Sequence, residues 1–297
     1  MLVGLAFGHG IAQGGELTVP RWIAQLGAPD ARARLEAALA LDDARDPSAV
    51  GPLIATLNDP DARVRYASLL ALAGLGDQRA VTPVIAMLQD RNPGVRELAA
   101  NVLGVGLKSD LALDPLTAAL KDRDAAVRAR AASTLAWFGD ARTLDPLLVA
   151  LRDPSPEVRG AAAMSLGGLE ATRILDPLLK ALTDPDPMAR AGAVRGLGKL
   201  SDPRTVPSLI TALEDVETPV RTAAVAALGQ LKDPTSADAL RAATADPDER
   251  VRFGAAFALW RMGLGPRPEP LPTRSPPPLV RVPELPPDDG GPGPGGR

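Results

Sequence analysis

The chain has 297 residues, a formal net charge of −3 and no cysteine, which rules out disulfides, thiolate metal sites and cysteine nucleophiles. Its cations are mostly Arg, with only five Lys, so no broad positive field for polyanions is expected. Apolar residues make up 45% and aromatics 3%, and the bias toward Ala and Leu favours closely packed helices over a sandwich or barrel.

Residues 1–17 form a lead-in before any periodic pattern. Met1 to Phe7 is apolar and runs into Gly8-His9-Gly10 without a basic segment ahead of it. It reads as a disordered lead, with a truncated signal peptide over residues 1–12 as the alternative. The chain is accordingly expected in the cytoplasm, or exported if that alternative holds. Elsewhere charges and prolines break every apolar run before the ~18 to 20 residues that cross a bilayer, so no membrane span is expected.

Residues 18–265 carry an internal repeat. Arg65, Arg96, Arg128, Arg159, Arg190, Arg221 and Arg252 are spaced by 31, 32, 31, 31, 31 and 31. Six residues before each stands an Asp: Asp59, Asp90, Asp122, Asp153, Asp184, Asp215 and Asp246. Seven residues after each stands a Leu, from Leu72 to Leu259. One period upstream, Arg34 keeps the Leu positions but has Ala28 in place of the Asp, which marks an eroded terminal copy. Within a unit, Val81 to Leu88 has apolar residues at helical spacing and a Pro in its first turn, so it reads as helix A. The Asp-Pro pairs at 59, 153, 184 and 246 read as the N-cap and first position of helix B. Helix B then ends at glycines such as Gly167-Gly168, expected to form a left-handed cap. Three residues after the Arg comes Ala in every copy but one, Ser68 being the exception, as where helices approach closely.

About 31 residues per unit, an early Pro in helix A, then Asp-Pro, Val-Arg, Ala-Ala and Leu-Gly together resemble the HEAT-like repeat of the phycobilisome-lyase type. The resemblance implies an all-α, right-handed α-solenoid of about eight helix-turn-helix repeats. It also implies that the recurring Asp and Arg form a hydrogen-bond ladder between successive repeats. A catalytic carboxylate pair occurs once in an enzyme, whereas this pair recurs in nearly every unit, which fits scaffolding better than acid–base chemistry.

The resemblance further implies that helix B lines the inner surface. Offsets of 1, 5 and 9 from the Arg face away from the core, and they give the candidate partner-binding residues Tyr66, Leu70, Glu97, Asn101, Trp137, Met164, Arg195, Lys199, Phe253, Phe257 and Arg261. Variation there over an unvarying core is how a repeat protein builds a particular binding surface. Trp137 and Phe257 have a competing place in the inter-repeat core, and Trp22 and Trp260 read as plugs on the terminal repeats. The expected function is a non-catalytic scaffold, monomeric alone, that holds a protein or peptide on this face. A bilin-lyase-like accessory subunit and a weak nucleic-acid binder remain as alternatives. No cofactor or metal is expected: His9 is the only His, so neither a triad nor the His-Glu pairs of HEAT-like di-iron hydroxylases can be assembled.

Residues 266–297 hold twelve Pro and close on a Gly/Pro run. This tail reads as disordered or polyproline II, with a minimal PxxP at Pro283-Glu284-Leu285-Pro286.

Overall fold

A computed structural model describes residues 18–169, 173–270, 282–286 and 288. The lead-in, and with it His9, lies outside the described residues, as does much of the tail. Among the described residues the regular structure is entirely helical and forms an α-solenoid. Sixteen helices pair into eight hairpins: α1 (Val19–Gln25) with α2 (Ala31–Ala44), α3 (Val50–Ala55) with α4 (Ala62–Leu75), α5 (Val81–Ala86) with α6 (Pro93–Asn101), and α7 (Leu113–Ala119) with α8 (Ala125–Leu135). Next come α9 (Leu144–Ala150) with α10 (Pro156–Leu166), and α11 (Leu175–Ala181) with α12 (Pro187–Leu200). The last two hairpins are α13 (Val206–Thr211) with α14 (Thr218–Leu231), and α15 (Ala237–Ala243) with α16 (Glu249–Arg261).

Helices of six or seven residues are too short to persist alone in water, so the odd-numbered members depend on packing. The Leu seven residues after each ladder Arg supplies much of it. Leu72, Leu103, Leu135, Leu166, Leu197 and Leu228 are fully buried, each worth roughly 1.5–3 kcal/mol over an exposed side chain. The Ala positions three after the Arg, and Ser68 among them, are likewise inaccessible.

Each Arg reaches forward to the next hairpin. Arg65 donates from Nε and Nη2 to the two carboxylate oxygens of Asp90, both at 2.7 Å, while its Nη1 donates back to the Asp59 carbonyl at 2.8 Å. The same fork joins Arg34 to Asp59, Arg96 to Asp122, Arg128 to Asp153, Arg159 to Asp184, Arg190 to Asp215 and Arg221 to Asp246. The eroded first copy therefore still contributes its Arg. Among the described residues Arg252 meets only the carbonyls of Asp246 and Pro247.

The Asp before each helix B is not its N-cap, contrary to the sequence expectation. Asp59 accepts the amide of Asp61, and it is Asp61 that caps α4 by accepting from Arg63. The helix thus starts two residues later than the Asp-Pro pair suggests, because both oxygens of the Asp are held by the incoming guanidinium. The left-handed caps are displaced too. Gly167 has a helical φ of −62, whereas the left-handed residue falls eleven positions after the Arg in most repeats, on Arg45, Gly76, Gly139, Ser201, Lys232 and Gly263.

In the third repeat that residue is Lys108, one position later. The extra residue behind the single spacing of 32 is absorbed where α6 continues as a π-helical turn over Val102–Leu107, closed by the Lys108 amide on the Leu103 carbonyl.

Hydrogen bonds from Arg159, Arg190 and Arg221 hold the carboxyls of Asp184, Asp215 and Asp246 below their ordinary values, against an opposing effect of burial. A carboxyl depressed in the folded state contributes stability above its unfolded value near 3.9, and loses it as pH falls toward the folded value. The thermal midpoint is expected to stay level from neutral pH to about 5 and to fall steadily below about 4. A midpoint that began to fall between pH 7 and 6 would contradict this.

Candidate protein-binding face

Consecutive even-numbered helices pack directly on one another, whereas the odd-numbered ones meet their neighbours chiefly through the short 3-10 turns at their ends. Glycine permits the close side. A Cβ on Gly192 of α12 would stand 2.5 Å from the Gly160 Cα of α10, and one on Gly167 would stand 2.6 Å from the Gly196 Cα. The even-numbered helices form the closely packed layer, the side expected to face inward.

On that inner side the candidate residues fall into distinct groups. Tyr66 and Leu70 on α4 are half-buried and rest on the core. Burial pushes the Tyr66 hydroxyl up, and the nearby Glu97 carboxylate adds to this. Glu97 is itself engaged by Arg130 of α8 at 2.9 Å, a partner that the helical offsets miss because it lies two residues after its ladder Arg. Asn101 is half-buried at the end of α6, just before the π turn.

Met164, Arg195 and Lys199 line a hollow of about 290 Å³ together with Thr222 and Gln230. Phe253, Phe257 and Arg261 line a second of about 220 Å³, which shares Thr222 and Gln230 with the first. The two make one groove running from α10 to α16. Its floor is built of residues without bulk, Ala226 and Gly229 among them. Small residues at those offsets are the signal that would have located the groove.

Phe257 does not tuck into the inter-repeat core. It stacks on Phe253 with centroids 6.1 Å apart and meets Trp260 at 5.2 Å, an aromatic row along α16 that Arg267 continues from 5.4 Å above the Trp260 ring. Trp137 is not a core residue either. It lies past the end of α8 and is 68% exposed, apart from the groove. Trp22 rests on the core at the other end of the rod.

Arg63, Arg79, Arg142, Arg204 and Arg250 each form an ion pair with the Asp two residues earlier. Arg195, Lys199 and Arg261 are exposed and reach no carboxylate among the described residues, although the Lys199 ammonium donates to the Met164 carbonyl at 3.4 Å. No helix among the described residues is long and apolar enough to cross a membrane.

The family model described as HEAT repeats matches residues 19–104, 81–167, 144–225 and 175–260. Among solved structures, Escherichia coli YibA is 22% identical, with a TM-score of 0.55 over 80% of this chain and 87% of that one. An engineered protein is 21% identical, with a TM-score of 0.50 over 84% and 79%. The CpcE–CpcF complex of phycocyanin lyase from Nostoc sp. PCC7120 is 23% identical, with a TM-score of 0.44 over 86% and 92%. At these identities the likeness is one of fold. No curated protein matches the chain. Helical hairpins in tandem, an Arg–Asp ladder from one to the next and a family match spanning nearly the whole array lead to one assignment: the chain belongs to the HEAT repeat family.

Proposed function

We propose that the chain is a non-catalytic scaffold that holds a protein segment of acidic and apolar character in the groove from α10 to α16. The observation that carries this reading is the set of three exposed cations, Arg195, Lys199 and Arg261, that line one groove beside an exposed aromatic row and reach no carboxylate among the described residues. Aromatic and Arg side chains are the usual anchors of protein interfaces. The cations would fix the segment's acidic groups, and Phe253 and Phe257 would cover its apolar ones. An overall charge of −3 weighs against a nucleic-acid backbone as the occupant.

The test compares capture by the intact chain with capture by two variants, Arg195→Glu combined with Lys199→Glu, and Phe257→Ala. Each is expected to weaken retention of the specific partner by roughly tenfold or more, the effect of losing an interface anchor. Retention unchanged in both, with helicity preserved, would remove the groove from consideration. A salt-sensitive shift of DNA by the parent chain, lost in the charge-reversal variant, would move the assignment to nucleic acid.

A further inference from the structure

The third repeat departs from its neighbours where α5 gives way to α6. After the ladder Asp, repeats two, five, six and eight have Pro60, Pro154, Pro185 and Pro247, but the third has Arg91, a change it shares only with the fourth, Arg123. The N-cap is Asp30, Asp61, Asp124, Asp186 or Asp248 in five other repeats, but Asn92 here. Two residues into that cap's helix stand Arg32, Arg63, Ala126, Met188 or Arg250 in those repeats, but Gly94 here. Each change adds a donor or removes a side chain.

A segment of the chain's own tail sits on these three residues. The Asn92 side chain uses both ends of its amide: Oδ1 accepts from the amides of Gly94 and Val95, while Nδ2 donates to the Pro286 carbonyl at 2.6 Å and to Asp288 Oδ1 at 3.1 Å. Asn92 is 2% exposed. Arg91 forms an ion pair with Asp288 at 2.7 Å, and its other branch donates to the Pro60 carbonyl of the preceding repeat. Leu285 lies over Gly94, where an added Cβ would meet its Cδ2 at 2.8 Å. Val282 and Leu285 are partly buried against the core.

We propose that the start of α6 is a recognition site for a Leu-Pro-x-Asp segment, and that residues 282–286 and 288 of the same chain occupy it in cis. Three elements read the segment. Gly94 leaves room for the Leu, the Asn92 amide reads the carbonyl of the following Pro, and Arg91 with Asn92 reads the Asp. An Asp at the cap position would keep the two helix amides but lose both donors, and it would place a second carboxylate against Asp288. That accounts for Asn at this one cap. Tethering raises the local concentration of the segment into the millimolar range, so contacts too weak to hold a free peptide are enough in cis. The site is independent of the groove across α10 to α16, and either assignment can fail without the other.

The absence of Cys allows two spin labels to be placed uniquely, through Ala126→Cys on the next repeat and Glu284→Cys in the tail, both exposed positions of the full chain. Electron–electron distance measurement is expected to give a narrow distribution within about 20 Å, one or two helix spacings plus the label arms. Asn92→Asp, which installs the cap that five other repeats already use, is expected to broaden it and shift it to longer distances. Leu285→Ala is expected to do the same, and it lies outside the solenoid, so it cannot act by unfolding a repeat. A free peptide with the sequence of residues 282–289, supplied above the millimolar effective concentration of the tethered segment, should displace the tail, and the same peptide with Ala for Leu should not. A broad, long distribution in the parent would overturn the proposal, as would a short distance that survives both substitutions. Loss of the short distance on dilution with unlabelled chain would show seating on a second copy and overturn the cis assignment.

Discussion

Asp90→Ala is expected to cost about 3–5 kcal/mol of unfolding free energy, the usual loss when one partner of a buried ion pair is removed. Arg65 and Asp90 are the least accessible ladder pair, at 4% and 1% side-chain exposure. Deleting the carboxylate leaves the Arg65 Nε and Nη2 with no acceptor in a site that water scarcely reaches, and it also strips an acceptor from the Asn92 amide. Glu36→Ala is the natural control, because its pair with Arg32 lies on an exposed helix face at 53% and 84% exposure. Exposed pairs contribute ~0–1 kcal/mol, so that variant should differ little from the parent in urea unfolding. An Asp90→Ala chain within ~1 kcal/mol of the parent would show that the ladder is decorative at this rung.

Gly192→Ala should also destabilise, against the helix propensity that favours Ala over Gly by ~1 kcal/mol. Propensity loses because the new Cβ would stand 2.5 Å from the Gly160 Cα, a backbone atom that no rotamer change can move. The two helices must separate, and overpacking of this kind typically costs ~1–3 kcal/mol and occasionally more. Gly51→Ala separates the two effects, since a Cβ there has no neighbour within 4 Å. It is expected to stabilise the chain by roughly 0.5–1 kcal/mol. Equal signs for the two substitutions in thermal unfolding would defeat the close-approach account.

These glycines show what the sequence hides. The period, the fully buried Leu and the close-packed Ala are all legible, because each repeats at a fixed offset and helical geometry converts an offset into a face. Gly160 and Gly192 occur inside helices without a shared offset, and only the neighbouring backbone explains them. The Asp-Pro pair was misread as a cap because a cap and a ladder acceptor need the same carboxylate. What decides between them is an Arg 25 residues earlier in the chain, which cannot be placed in space without the coil of the rod. Outward-facing offsets single out residues such as Arg195 and Phe257, but the joining of two hollows through Thr222 and Gln230 depends on how four consecutive repeats are rotated. The seat for the tail is legible only as an Asn cap and a Gly peculiar to the third repeat, with nothing to say that Leu285 would meet them.

The ladder has a direction, and its two ends differ. At one end Arg252 keeps its carboxylate-seeking edge in solvent, an unfilled socket for another hairpin. At the other, the matching plug is missing, because Ala28 occupies the place where an Asp would be and offers only its carbonyl to Arg34. One molecule therefore cannot continue the ladder of the next. A second copy stacked head to tail would meet Arg252 with Ala28, so that junction would lack the fork of hydrogen bonds that joins each hairpin to the next within the rod.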